Sequence, residues 1–234
     1  MKTSHITALI FLFVLCNFTS CQQNSTSEQK QTPEKETVEF NEEIAKELAR
    51  RAEVDQIAAW IPQGKFKEYS KEEWKAYKDS VFQANKAYLE TILDEYGFPG
   101  FDLVGEAGSN DFWLMTQHCD FDPDFQQEVL AKMKIEIDRD NANKSNYAYL
   151  LDRIQMNTGQ KLRYGTQVQY NPETGQAMSL PLEDSVNVNL RRQEVGLEPL
   201  EEYLNDMTIS HFEMNKAYML ERGITVPSLY EVKE

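Results

Sequence analysis

His118 and Asp120 stand two apart in the segment Trp113 to Asp120 (WLMTQHCD), an H-x-D pair of the types that move a proton. An imidazole titrates near neutral pH, and a carboxylate beside it fixes its tautomer and raises its basicity. Residues i and i+2 of a helix point apart, so the two can cooperate only if the chain leaves the helix near Cys119. Asp122-Pro123, an N-cap followed by proline at the first helical position, makes that exit expected. The alternative is that His118 caps a short helix or bonds a backbone carbonyl.

Asp152 precedes Arg153 in an otherwise apolar helical stretch. A carboxylate buried there without a partner would be costly, so Arg191, Arg192 or, through a network, Arg153 is expected to meet it. Asp152 is then either half of a structural ion pair or a further carboxylate able to orient His118. Tyr164-Gly165-Thr166-Gln167 carries strand alternation, with Tyr164 and Thr166 on one face and Gly165 and Gln167 on the other. Gly165 allows close approach of a backbone or ligand, and the amides of Gln160 and Gln167 both donate and accept. A hairpin packed by its tyrosines accounts for the same residues without a ligand. Arg191-Arg192 is conspicuous in a chain of net charge −15, and one of the two could grip a carboxylate or phosphate with its planar fork.

Other chemistries find no support. The sequence has no H-E-x-x-H, zinc-type cysteine pair, G-x-S-x-G or phosphate loop, and past its first segment it holds only His118 and His211. No cofactor or metal is therefore expected. Cys119 reads as a small buried hydrophobe. The strong acidity argues against nucleic acid as a partner.

The elements that must position these groups are mainly helices. Ile44, Leu48 and Ala52 recur at helical spacing, a run that Pro62 stops. Ser70-Lys71-Glu72-Glu73 is a capping box opening a second helix, which Gly97 and Pro99 close. Residues 97–110 read as a glycine-rich loop before a short apolar piece at Trp113-Leu114. Helices are expected from Asp122, over 146–158, over about 183–194 and over about 199–222. Between them, a strand over Leu162–Tyr170 turns at Asn171–Gly175 and returns over Ala177–Leu180. The expected fold class is mainly α: a single multi-helix domain, residues 38–234, with one β-hairpin packed on the helices, since a lone hairpin is unstable.

The first 20 residues read as a signal peptide. Lys2 precedes an apolar run from Ile6 to Cys16 of about 11 residues, too short to span a bilayer. Phe18-Thr19-Ser20-Cys21 resembles a bacterial lipobox, which implies lipidation at Cys21 and attachment to a membrane. Residues 21–37 lack aromatic and branched apolar side chains and read as a flexible linker. The expected location is the cell envelope, lipid-anchored and periplasm-facing.

The segments WLMTQHCD (113–120), YLLDR (149–153), GQKLRYGTQ (159–167) and RRQEVGL (191–197), with Asp55-Gln56 as a weaker match, resemble the bacterial family of unknown function DUF6624. The resemblance implies no activity. Two functions are expected from the residues. One is a tethered binding module in which Trp113, Gln117, Tyr164, Thr166 and the other glutamines line a pocket, with Arg153, Arg191 or Arg192 gripping a polar or anionic small molecule or peptide. The alternative is a metal-independent hydrolase or lyase with His118 as general base, oriented by Asp120 or Asp152.

Overall fold

The computed structural model describes residues 38–232, so the signal peptide, Cys21 and the linker lie outside the described residues. The described chain is mainly α with one two-stranded hairpin. In order it runs α1 (Glu42–Ala59), a 3-10 turn (Gly64–Glu68), α2 (Lys71–Tyr96), α3 (Phe101–Gln117), α4 (Pro123–Asp138), α5 (Lys144–Asn157), β1 (Val168–Tyr170), β2 (Ala177–Ser179), α6 (Val188–Glu194), α7 (Leu200–Met214) and α8 (Lys216–Glu221). Among the described residues no helix is long and apolar enough to cross a membrane.

The helix starts follow from local chemistry. Ser70 Oγ accepts from the Glu73 amide while the Glu73 carboxylate accepts from the Ser70 amide, closing the capping box of α2. Asp122 accepts from the Phe125 amide and Pro123 supplies a preset φ, so α4 begins where the chain must turn after His118.

The largest difference from expectation is α3, a helix where residues 97–110 read as loop. Its glycines serve packing and a bend. Gly105 takes a positive φ of 73° and kinks the helix. At Gly108 a Cβ would stand 2.8 Å from Val104 Cβ of the same helix, across the kink at Gly105, while Ala45 Cα of α1 would lie at an ordinary contact distance of 3.7 Å, so the glycine relieves crowding inside the bent α3. Leu103, Val104, Phe112 and Met115 of α3 join Leu48, Leu89, Leu93, Phe125, Val129, Met133 and Leu150 in the main core. Burying each such side chain stabilises the fold by about 1.5–3 kcal/mol.

The C-terminal third also departs from its expected bounds. Leu162 only bridges to Leu182, and β1 starts at Val168, because residues 163–166 wrap around a side chain rather than pair in a sheet. The hairpin pairs Val168 with Ser179 and Tyr170 with Ala177, and it packs on α7 through Ala177, Tyr203 and Leu204. α6 begins at Val188 rather than 183, and the last helix breaks at Asn215 into α7 and α8.

Candidate functional site

α1 and α3 run side by side in one direction. The Asn41 amide donates to Leu103 O near their starts, and Asp55 meets His118 near their ends. α2 returns along α1, with Arg51 beside Tyr88 and Asp55 beside Asn85. Three helices therefore converge on Asp55. It occupies the buried stripe of α1 with Leu48, Ala52 and Ala58, and its side chain is 0% exposed.

The carboxylate is fully engaged. Asn85 Nδ2 donates to Oδ1 at 3.0 Å, His118 Nδ1 donates to Oδ2 at 2.5 Å, and Gln56 Nε2 donates to Oδ2 at 3.3 Å. His118 is the C-cap of α3, where the chain leaves the helix, and its side chain is 19% exposed. Phe82 of α2 stacks on the imidazole with centroids 5.0 Å apart. An ionised carboxylate can only accept, so it places the ring proton on Nδ1 and leaves the Nε2 lone pair outward. Nε2 has no hydrogen-bond partner among the described residues. A buried acid, a neutral amide behind it and an imidazole held flat by an aromatic ring form an oriented acid–base pair.

Asp120 points elsewhere. Arg153 grips it bidentately at 2.7 and 2.6 Å, Asn157 donates to it at 2.7 Å, and the buried Gln126 donates to it at 3.3 Å. Burial works to raise its pKa, but the bonds and charge of Arg153, with those of Asn157 and Gln126, outweigh it and hold the carboxyl below its usual value. This cluster ties the turn after α3 to α5. His118 thus has its carboxylate from α1, through Asp55, rather than from Asp120 or Asp152.

Asp152, also 0% exposed, organises the loop 163–166. It accepts from the amides of Arg163 (2.9 Å), Tyr164 (3.0 Å) and Thr166 (2.8 Å) and from Thr166 Oγ1 (3.0 Å). The carbonyls of the same loop are held from the opposite side. Arg191 Nε donates to Arg163 O, the fully buried Arg192 Nη1 donates to Tyr164 O, and the Tyr203 hydroxyl donates to Thr166 O. Gly165 completes the turn with φ 73°, in a space where a Cβ would stand 3.0 Å from Leu200. The amides and the carbonyls of Arg163, Tyr164 and Thr166 thus all find partners, as a buried loop requires. Asp152 and the two arginines meet through this loop rather than in a direct ion pair. The segments YLLDR, GQKLRYGTQ and RRQEVGL come together here, as scaffolding. Arg191 also donates to Asp184 O and Arg192 Nε to Glu198 O; Arg192 Nη2 has no hydrogen-bond partner among the described residues, but it is fully buried, 3.7 Å from the Glu198 carboxylate.

The remaining expected residues are spread out. Tyr164 and Thr166 are buried in the same loop. Gln167 reaches only Thr166 Oγ1, and Gln160, exposed, donates to Thr158 Oγ1. Trp113 packs edge-on to Tyr149 of α5, and its buried indole N–H has no partner among the described residues. Gln117, one turn on, is 7% exposed with its amide N–H also unpartnered. Cys119 is fully buried. Burial, reinforced by the negative charge of Asp55, pushes its thiol up to about 12, so no thiolate nucleophile is present near neutral pH. Among the described residues no three His, Cys, Asp or Glu side chains gather as metal ligands would.

The residues that sequence reasoning misses are Asp55 as the partner of His118, with Asn85 and Phe82. The signal is present: Asp55 falls in step with Leu48 and Ala52, so a carboxylate sits on the apolar stripe of α1. No curated protein and no solved structure matches the chain. The model of the family of unknown function DUF6624 matches residues 43–213, which include both Asp55 and His118, and the chain belongs to that family.

Proposed function

We propose that this protein is a metal-independent acid–base enzyme, of the hydrolase or lyase class, with His118 as general base. The observation that carries the reading is the bond from His118 Nδ1 to the wholly buried Asp55, with Nε2 unpartnered and facing out. Nε2 would take a proton from water or from a substrate C–H. Asp55 would stabilise the imidazolium so formed, and the same proton would then pass to the leaving group. Such a positioned base contributes about 10²–10⁴-fold to rate. The signal-like start and the lipobox at Cys21 support the further proposal that the domain acts at the cell envelope, tethered by lipid.

A second reading, a tethered binding module, is favoured by the unpartnered N–H groups of Trp113 and Gln117, which could hold an acceptor without reacting with it. One experiment separates the two. A panel of chromogenic esters, amides and glycosides, with cell-wall fragments, is assayed for turnover and for thermal stabilisation, in wild type and in His118→Ala. Turnover that disappears in His118→Ala, with the fold intact, supports the enzyme. A compound that stabilises both proteins equally and is never converted rejects it in favour of binding.

A further inference from the structure

A cleft of about 260 Å³ opens between α1 and α2, lined by Arg50, Arg51, Ser80 and Asn85 together with Val54 and Val81. Its charge is unusual for so acidic a chain. Glu47 is the one carboxylate that the two guanidinium groups share: Arg50 bonds it through Nε (2.7 Å) and Nη2 (2.6 Å), and Arg51 through Nε (2.8 Å). Two cations on one anion leave about one positive charge uncompensated at the cleft.

The guanidinium of Arg51 is also preorganised. It lies over the Tyr88 ring, 4.3 Å from the centroid, and its Nη1 donates to Ala84 O at 3.2 Å. Only 22% of its side chain is exposed. Nη2 of Arg51 and Nη1 of Arg50 have no acceptor among the described residues. An arginine already fixed in place loses little conformational entropy when a ligand arrives, and two vacant N–H edges suit the oxygens of a planar or tetrahedral anion. Arg191 and Arg192 are turned to backbone carbonyls instead, and the Arg192 Nη2 that lacks a partner is fully buried.

We propose that the α1–α2 cleft binds a small oxyanion, a carboxylate or phosphate group, through Arg50 and Arg51. The site stands apart from His118 and does not depend on its being a base. It touches the acid–base pair only through Asn85, which lines the cleft and donates to Asp55.

The test titrates sodium phosphate, sodium acetate and sodium chloride, at matched ionic strength, into the ¹⁵N-labelled chain while following the arginine Nε–H signals. The expected result is a saturable shift of the Arg51 signal with phosphate or acetate and not with chloride. Arg50→Gln should weaken it about tenfold, the loss of one charge-assisted bond. Arg50 is the residue to change because its side chain is 60% exposed, so the fold should tolerate the substitution. The tighter of the two oxyanions identifies the group recognised. Equal shifts with chloride, no saturation with either oxyanion, or unchanged binding in Arg50→Gln would each overturn the proposal.

Discussion

The carboxylate of Asp55 lies 2.5 Å from the imidazole of His118, across 63 positions of sequence. The contact exists because α1 and α3 run side by side in one direction, joined near their starts by the Asn41 amide to Leu103 O. Asp55 is sealed from water on every side, so its charge acts on His118 with little screening.

Asp55→Asn should abolish most activity while sparing the fold. The asparagine fills the same space, but its amide N–H would face Nδ1 and drive the ring proton onto Nε2. Turnover of any substrate found should fall by about 10²–10⁴-fold, with KM less affected. Steady-state kinetics beside a melting curve check this, and an unchanged kcat would remove Asp55 from the mechanism.

Cys119 should be chemically silent. With its thiol pushed up to about 12, the thiolate fraction at pH 8 is very small, and it grows only as the solution approaches that value. Iodoacetamide should leave the native protein unlabelled at pH 8 and label it fully once unfolded. Cys119→Ala should keep turnover within about twofold. Rapid labelling of the native chain would contradict the burial that silences it.

The Asp120–Arg153 pair should stabilise the protein only above strongly acidic pH. The folded-state pKa of Asp120 is depressed, so its contribution is present above the unfolded carboxylate value and is lost as pH falls through the lower, folded one. Asp120 is 41% exposed, so solvent screening limits the effect to about 1 kcal/mol or less. In acid denaturation, Asp120→Asn should differ from wild type at pH 6 and converge with it in strong acid. A gap that persists at pH 2 would show that the loss is one of packing.

Asp152→Asn should damage the fold and leave the chemistry of any surviving protein alone. An amide N–H would face the donors of Arg163, Tyr164 and Thr166, leaving at least one of them buried and unpaired. The expected cost is about 2–4 kcal/mol in urea unfolding. A stable but inactive variant would instead move Asp152 into the active site.

Features that neighbouring residues decide are legible in the sequence. The Ser70–Glu73 box, the Asp122-Pro123 start and the Asn171–Gly175 turn each close over a few positions, so their chemistry can be read in place. Tertiary packing hides the rest. Glycines 105 and 108 resemble loop residues, yet they serve a kink in α3 and the tight packing of that bent helix. His118 is legible as a candidate base, whereas its partner is not, because Asp120 stands near in sequence and Asp55 near in space. Asp152, Arg191 and Arg192 are legible as a cluster, but its purpose appears only when the loop they hold is seen between them.

Asp55 holds His118 with its base outward, and the proton position on that ring tests this without any substrate. Long-range ¹H–¹⁵N spectra of the ¹⁵N-histidine-labelled protein, recorded across pH and assigned with His118→Ala, report which nitrogen carries the proton in the neutral ring. Protonated Nδ1 and bare Nε2 are expected in wild type, reversed in Asp55→Asn. Protonated Nε2 in the wild-type neutral ring would contradict this, because that nitrogen could then accept nothing.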